Sequence, residues 1–107
     1  MQISISSRHG SLSPDMSEYI AEKLRKFPKI FARIESIEST VELRPDLTKI
    51  EILVNAEHNH DLVARDQAPG FHAAVDLAVH KMESQLRRYK EKIQEHRRTP
   101  PMGGTTP

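Results

Sequence analysis

Seven lysines and arginines on two predicted helices are the residues of this chain whose types and spacing best support a chemical role. They are Lys23 and Lys26 on the first helix and Lys81, Arg87, Arg88, Lys90 and Lys92 on the second. At about 100° per residue, Lys81, Arg88 and Lys92 share one stripe. On neighbouring helices, such side chains can form one cationic surface, with Arg8 or His9, for the phosphate oxygens of structured RNA. The alternative is a solvated pair of helices with snorkelling lysines.

The charges of the chain are sorted by segment, although the net charge is only +1. Residues 1–34 carry six Lys/Arg against three Asp/Glu, residues 35–76 carry three against nine, and residues 77–107 carry seven against three. The outer segments are predicted to be helical and the middle one to form strands. A domain with basic helices and an acidic sheet can hold an anionic partner on one side only.

Histidines and carboxylates give a second candidate site, for a metal ion. The chain has six histidines, and the densest group is Glu57-His58-Asn59-His60-Asp61. A tight zinc site needs three or four converging ligands, and this segment is more typical of a polar turn. A metal-dependent enzyme that uses His58, His60 and Asp61 stays an alternative hypothesis.

Other patterns of catalytic or ligand-binding residues are missing from the sequence. It has no cysteine, no glycine-rich phosphate loop, and no nucleophile accompanied by a base and an orienting group. The three phenylalanines and two tyrosines lie outside the predicted strands, which disfavours base stacking on a sheet. We therefore expect a binding protein that is not an enzyme and uses no cofactor or metal.

The elements that must position these residues follow the order β-α-β-β-β-α. Residues 1–5 alternate between apolar and polar types, as in a strand with one buried face. A helix begins after Ser13, because its hydroxyl can cap free amides and the proline that follows suits the first helical position. Pro28 is expected to stop or kink this helix. An irregular turn over residues 29–34 follows.

Three further strands are predicted around residues 37–43, 50–55 and 62–65, and their short polar turns favour an antiparallel meander. Residues 66–70 break the pattern, and a long helix then runs from residue 71 to about residue 98. Each helix carries one apolar stripe. The predicted fold class is therefore α+β, with both helices packed on one face of a four-stranded sheet. The other face is expected to carry the acidic residues and to meet water.

One domain, residues 1–98, accommodates all of these elements in a chain of 107 residues. Residues 99–107 are rich in proline and glycine, have no apolar periodicity, and are predicted to be a flexible tail. No apolar run approaches the about 20 residues that span a bilayer, and the N-terminus lacks the pattern of a signal peptide. We expect a cytoplasmic protein with no membrane partner.

Six short stretches of the sequence occur in the order and spacing of one known family. They are Met1-Gln2-Ile3-Ser4-Ile5, Ala21-Glu22-Lys23-Leu24-Arg25-Lys26-Phe27, Phe31-Ala32-Arg33-Ile34, Ala73-Ala74-Val75-Asp76, Lys81-Met82-Glu83-Ser84-Gln85-Leu86 and Arg88-Tyr89-Lys90-Glu91-Lys92-Ile93. Over residues 1–96, the chain resembles the ribosome hibernation-promoting factor family, which includes the ribosome-associated inhibitor of the small-subunit interface.

The resemblance implies a fold like that of a double-stranded RNA-binding domain. It also implies binding to ribosomal RNA of the small subunit, at the subunit interface near the decoding centre, and not to DNA. There the protein would block the transfer RNA and messenger RNA sites while ribosomes are stored during stress or stationary phase. Carried over by position, the implied RNA contacts are Arg8, Lys23, Lys26, Lys81, Arg87, Arg88, Lys90 and Lys92.

The chain departs from the family pattern in two places. Gly70-Phe71-His72 stands where the family often has Asp, an apolar residue and Tyr, so Asp66 or Gly70 is expected to cap the long helix. Long members carry a linker and a separate dimerisation domain, whereas this chain ends at Pro107, so the short type without a dedicated dimerisation domain is expected. The alternative function is a protein-interaction module that binds a basic protein through the acidic sheet face.

Overall fold

The structure of the protein is a computed structural model that describes residues 1–98, with side chains described for residues 1–94. Its elements are β1 (Gln2–Arg8), α1 (Pro14–Leu24), α2 (Phe27–Ile30), β2 (Ile34–Arg44), β3 (Leu47–Ala56), β4 (His60–Ala68) and α3 (Phe71–Arg98). The predicted α+β class and element order are confirmed, with one additional helical turn, α2. The predicted tail, residues 99–107, lies outside the described residues.

The four strands form one sheet in the order β1-β2-β3-β4. The pairs β2–β3 and β3–β4 are antiparallel, which confirms the predicted meander. β1 pairs with β2 in parallel, from Gln2 opposite Ser36 to Arg8 opposite Glu42. A parallel pair needs a crossover connection, and α1 with α2 provides it. β1 and β4 are therefore the two edges of the sheet.

The core lies between one face of the sheet and the two long helices. Its largest fully buried side chains include Phe27, Ile20, Leu24, Ile37, Ile52, Met82 and Leu86. Removing one such side chain from water stabilises the fold by about 1.5–3 kcal/mol. Both α1 and α3 thus pack on the same face, as predicted. The opposite face, which we call the open face, meets solvent.

The first helix begins as predicted but ends differently. The Ser13 hydroxyl accepts a hydrogen bond from the Met16 amide at 3.2 Å, and Pro14 occupies the first turn. α1 ends at Leu24, and Pro28 lies in the first turn of α2, where its missing N–H is not needed. The predicted irregular turn over residues 29–34 is therefore wrong for its first two residues, which belong to α2, and for Ile34, which begins β2.

β4 is longer than the sequence indicated, because it continues through Ala68. Asp66 occupies a helix-facing position on this strand, where the alternation of apolar and polar residues would require an apolar side chain. The strand pattern in the sequence therefore ends before Asp66 although the strand continues. Lys81 compensates the charge, with its Nζ 3.2 Å from the Asp66 carboxylate. Asp66 therefore does not cap α3, whereas the Gly70 carbonyl accepts the Ala74 amide at 3.1 Å.

Within residues 1–98, no helix is both long enough and apolar enough to cross a membrane.

Candidate nucleic-acid interface

Two side chains of α3 bind the edge of β4 and fix the position of the helix along the sheet. Lys81 Nζ donates to the Arg65 carbonyl at 3.0 Å, and Gln85 Nε2 donates to the Val63 carbonyl at 2.7 Å. Four helical residues advance about 6 Å and two strand residues about 6.6 Å, so the two spacings match. The pair also covers exposed polar groups on an edge strand.

Lys81 has a second local partner in Asp66. Two hydrogen bonds hold the pKa of the Asp66 carboxyl below its usual range. The one from the Gln67 amide has the larger effect, and the one from the Lys81 ammonium has the smaller effect. The Lys81 side chain is still 54% exposed. A phosphate that bound Lys81 would therefore compete with a carboxylate and a strand carbonyl already bound to the ammonium.

Lys23 is engaged in a cluster between α1 and α3. The Tyr19 hydroxyl donates to Asp76 at 2.6 Å, and this hydrogen bond, more than burial, raises the pKa of Tyr19 to about 12. Lys23 Nζ lies 3.9 Å from the same carboxylate and 5.1 Å from the centre of the Tyr19 ring. The cluster joins the two helices and leaves Lys23 only 28% exposed.

Arg8 lies on the other side of the molecule from the helices. It alternates with the half-buried Ile3, Ile5 and Ser7 along β1 and stands opposite Glu42 on the open face. The prediction that Arg8 joins one surface with the helical cations is therefore wrong.

The open face carries charges of both signs, and not only the predicted acidic residues. Arg65 Nε lies 2.6 Å from a Glu51 carboxylate oxygen. Glu42 pairs with Arg44, whose hydrogen bond holds the pKa of the Glu42 carboxyl below its usual range. Two carboxylates of this face, Glu42 and Glu51, thus have cationic neighbours within the chain.

Eight exposed cations in residues 1–94 stand apart from the ion pairs. Two of them, Arg8 and Lys49, lie on the open face, and we call the other six the helix-end cations. They are Lys26, Lys29, Arg87, Arg88, Lys90 and Lys92. None of them forms an ion pair with the side chains described in residues 1–94. Four lie in the C-terminal half of α3. The sequence analysis missed Lys29, although its place one residue after Pro28 is a signal for a helical start.

The helix-end cations surround α3 and do not form one flat surface. Arg88 and Lys92 line a hollow of about 350 Å³ with His60 of β4. Lys90 lines a separate hollow of about 210 Å³ with Lys29 of α2. At about 100° per residue, Lys90 and Lys92 point to opposite flanks of the helix. The predicted single platform is therefore two cationic flanks, one toward β4 and one toward α2.

Glu57–Asn59 form a single 3₁₀ turn, as the composition of the histidine segment indicated, whereas His60 and Asp61 already belong to β4. His58 and Asn59 both have left-handed backbone conformations, with φ of 62° and 58°. His58 Nε2 lies 3.8 Å from Glu57, whereas His60 stacks on Tyr89. In the part of the chain that the structure describes, no group of three or more His, Asp or Glu side chains is placed to hold a metal ion.

Comparison with known protein families identifies the family of this chain. The sequence model of the family described as sigma 54 modulation protein / S30EA ribosomal protein matches residues 3–94. The chain belongs to this family. A relative from Pseudomonas putida named ribosome hibernation promoting factor is 27% identical over 94 residues, which are 88% of this chain and 91% of the relative. A relative of the same name from Azotobacter vinelandii is 28% identical over 92 residues, or 86% of this chain and 85% of the relative.

Two solved structures share the architecture of this chain. A ribosomal subunit interface protein from Coxiella burnetii aligns with a TM-score of 0.77 at 23% identity, over 85% of this chain and 99% of that one. The N-terminal domain of Protein Y from Thermus thermophilus aligns with a TM-score of 0.74 at 21% identity, over 83% and 99%. At this identity the likeness concerns the fold alone.

Proposed function

We propose that this S30EA protein is a ribosome hibernation factor that binds the small ribosomal subunit near the decoding centre. By occupying ribosomal RNA there, it blocks the transfer RNA and messenger RNA sites without any chemical step. Family membership and the names of the relatives support a role at the ribosome. The subunit and the position on it are the finer part of the proposal.

The observation that carries the proposal is the concentration of exposed, unpaired cations at the helix ends: six of the eight in residues 1–94 lie there, and Arg8 and Lys49 lie on the open face. Arg65 on the sheet and Lys81 beside it are held by carboxylates of the chain itself. The helix-end cations are exposed and, among the described side chains, free of such pairs. Cations of that kind release phosphate counterions when they bind RNA, and this release supplies a large share of the affinity.

Two cationic flanks on one helix suit folded RNA better than a flat surface. A helix inserted between two phosphate backbones can contact one with Arg88 and Lys92 and the other with Lys90 and Lys29. Contacts of this type read shape and backbone and carry little base specificity. Lys23 and Lys81 then act mainly by holding α3 against α1 and β4.

The alternative of a basic protein bound to the open face has less support. That face has a hollow of about 510 Å³, lined by Arg8, Glu42, Lys49, Glu51 and Arg65 among others. Its cations would oppose a basic partner, and Glu51 and Glu42 are already paired. We therefore retain RNA binding as the proposed function.

Co-sedimentation with purified ribosomal subunits tests the proposal. The protein is expected to sediment with small subunits and not with large subunits in a sucrose gradient. Excess transfer RNA, added with a short messenger RNA, should lower the bound fraction, because both ligands need the same site. Binding to large subunits alone, or binding that transfer RNA leaves unchanged, would contradict the proposal.

A matched pair of variants separates position from charge. Arg88→Gln should reduce the fraction bound to small subunits, since Arg88 is exposed and outside the described ion pairs. Arg25→Gln removes the same charge from α1, where Arg25 lies 3.0 Å from Glu18, and should bind like the unmodified protein. Equal losses in both variants would show that net charge, and not the helix-end position, governs binding.

A further inference from the structure

Three aromatic rings, from Phe31, Tyr89 and His60, contact one another in series where α3 passes the start of β4. The rings of Phe31 and Tyr89 meet edge to face, with centroids 5.1 Å apart and planes at 67°. The imidazole of His60 lies parallel to Tyr89, with centroids 4.4 Å apart and planes at 9°. Phe31 is buried, Tyr89 is half-buried and His60 is exposed. One face of the imidazole is thus supported by Tyr89, and His60 remains accessible to solvent.

The exposed imidazole borders the hollow that holds Arg88 and Lys92. Leu62 and Gln85 also line this hollow, and Glu91 contributes one carboxylate against the two cations. The amide nitrogen of Gln85 is already bound to the Val63 carbonyl. The hollow therefore offers an aromatic face, an apolar side chain and a net positive charge within about 350 Å³.

The carboxylate next to His60 in sequence does not belong to this hollow. Asp61 alternates to the open face, where it accepts a hydrogen bond from Asn55 Nδ2 at 2.7 Å. The strand thus places His60 on the side of α3 and Asp61 on the opposite side. An anion beside the imidazole meets Arg88 and Lys92 and is separated from Asp61 by the strand itself.

We propose that this hollow binds one unpaired RNA nucleotide, with its base stacked on His60 and its phosphate on Arg88 and Lys92. The inference rests on the proposed function and names a contact within the same interface. A base inside a duplex has no free face, so the ligand is a nucleotide outside a helix. Every base has a π-face, so the contact tolerates any sequence. The volume is at the small end of the range for ligand sites, which suits one nucleotide.

A short single-stranded RNA of adenosines with one central 2-aminopurine is the probe, titrated with the full chain at low salt. Stacking on His60 should quench the fluorescence of 2-aminopurine. His60→Ala should bind this probe at least about fivefold more weakly, and His60→Phe, which keeps an aromatic face, should bind it normally. The same RNA annealed to its complement should show no difference between His60→Ala and the unmodified protein.

Two controls protect the interpretation. His58→Asn changes an exposed histidine in the turn that precedes β4 to a residue that tolerates its left-handed backbone, and it should bind the probe normally. Thermal unfolding of each variant reports whether loss of the His60–Tyr89 stack disturbs the fold. If His60→Ala remains folded and binds the probe like the unmodified protein, or if no quenching occurs, the nucleotide site is refuted.

Small-subunit sedimentation, run in parallel, distinguishes failure of this site from failure of the proposed function. If the unmodified protein sediments with small subunits but never quenches the probe, the proposed function stands and the nucleotide site falls. If it binds the probe through His60 but does not sediment with small subunits, the site stands and the proposed ribosomal target falls.

Discussion

The salt dependence of small-subunit binding gives the sharpest test of the helix-end cations. Each lysine or arginine that neutralises a phosphate adds about 0.7–0.9 to the slope of log affinity against log salt. If all six helix-end cations bind phosphates, the slope is about −4 to −5.5. Between 50 and 200 mM salt, the affinity should then fall by a factor of about 300–2,000.

The double variant Arg88→Gln/Lys92→Gln removes two of the six contacts. Its slope should be shallower by about 1.4–1.8, so that the same change in salt weakens binding only about 50- to 150-fold. Both side chains are exposed and outside the described ion pairs, so the stability should change by less than about 0.5 kcal/mol. Equilibrium binding of labelled protein to small subunits at four salt concentrations and constant magnesium measures both slopes.

The matched control removes two cations that the structure pairs with carboxylates. Arg25 lies beside Glu18 on α1, and Arg65 lies beside Glu51 on the open face. Arg25→Gln/Arg65→Gln has the same net charge as the first double variant and should keep the full slope. If both double variants lower the slope equally, or if neither does, the assignment of the contacts to the end of α3 is refuted.

Two further predictions concern the contacts that hold α3 in place. Gln85→Leu loses the hydrogen bond to the strand carbonyl of Val63 and should lower the free energy of unfolding by about 1 kcal/mol. Urea unfolding measures this loss, and an unchanged midpoint would contradict a role for the bond. Tyr19 donates to Asp76, and its pKa is raised to about 12, so this contribution to stability is complete below about pH 10 and declines towards pH 12. The stability advantage of the unmodified protein over Tyr19→Phe should therefore be constant from pH 7 to 9 and shrink above pH 10, and an advantage that grew with pH would reverse the expected sign.

Much of the fold followed from the sequence because periodicity reports which face is buried. Ile37 and Val41 alternate with charged or polar neighbours, and both are fully buried against the helices. α2 could not be predicted in this way, since a single helical turn has no periodicity. The end of β4 was hidden because Asp66 holds a helix-facing position, and only its partner Lys81 explains why a charge is tolerated there.

The candidate site was harder to predict, for reasons that differ between residues. The face of Arg8 was predictable, because Ile3 and Ile5 show that the odd-numbered residues of β1 face the core. Arg8 is even-numbered and therefore lies on the open face. The engagement of Lys23 was not, because its partner Asp76 lies on another helix. The stack of His60 on Tyr89 likewise joins the start of β4 to a distant helix, and no local pattern signals it.

The hydrogen bonds of Lys81 and Gln85 to β4 fix both the position of α3 along the strand edge and its rotation about its own axis. Every side chain beyond Gln85 has its height and direction set by counting residues from that point. One residue inserted directly after Gln85 would advance all later positions by about 1.5 Å and turn them by about 100°. Arg88 and Lys92 would then leave the flank toward β4 while the contacts before the insertion stayed in place. The number of residues in this part of the helix, as much as their chemical type, therefore determines on which flank of α3 the cationic side chains lie.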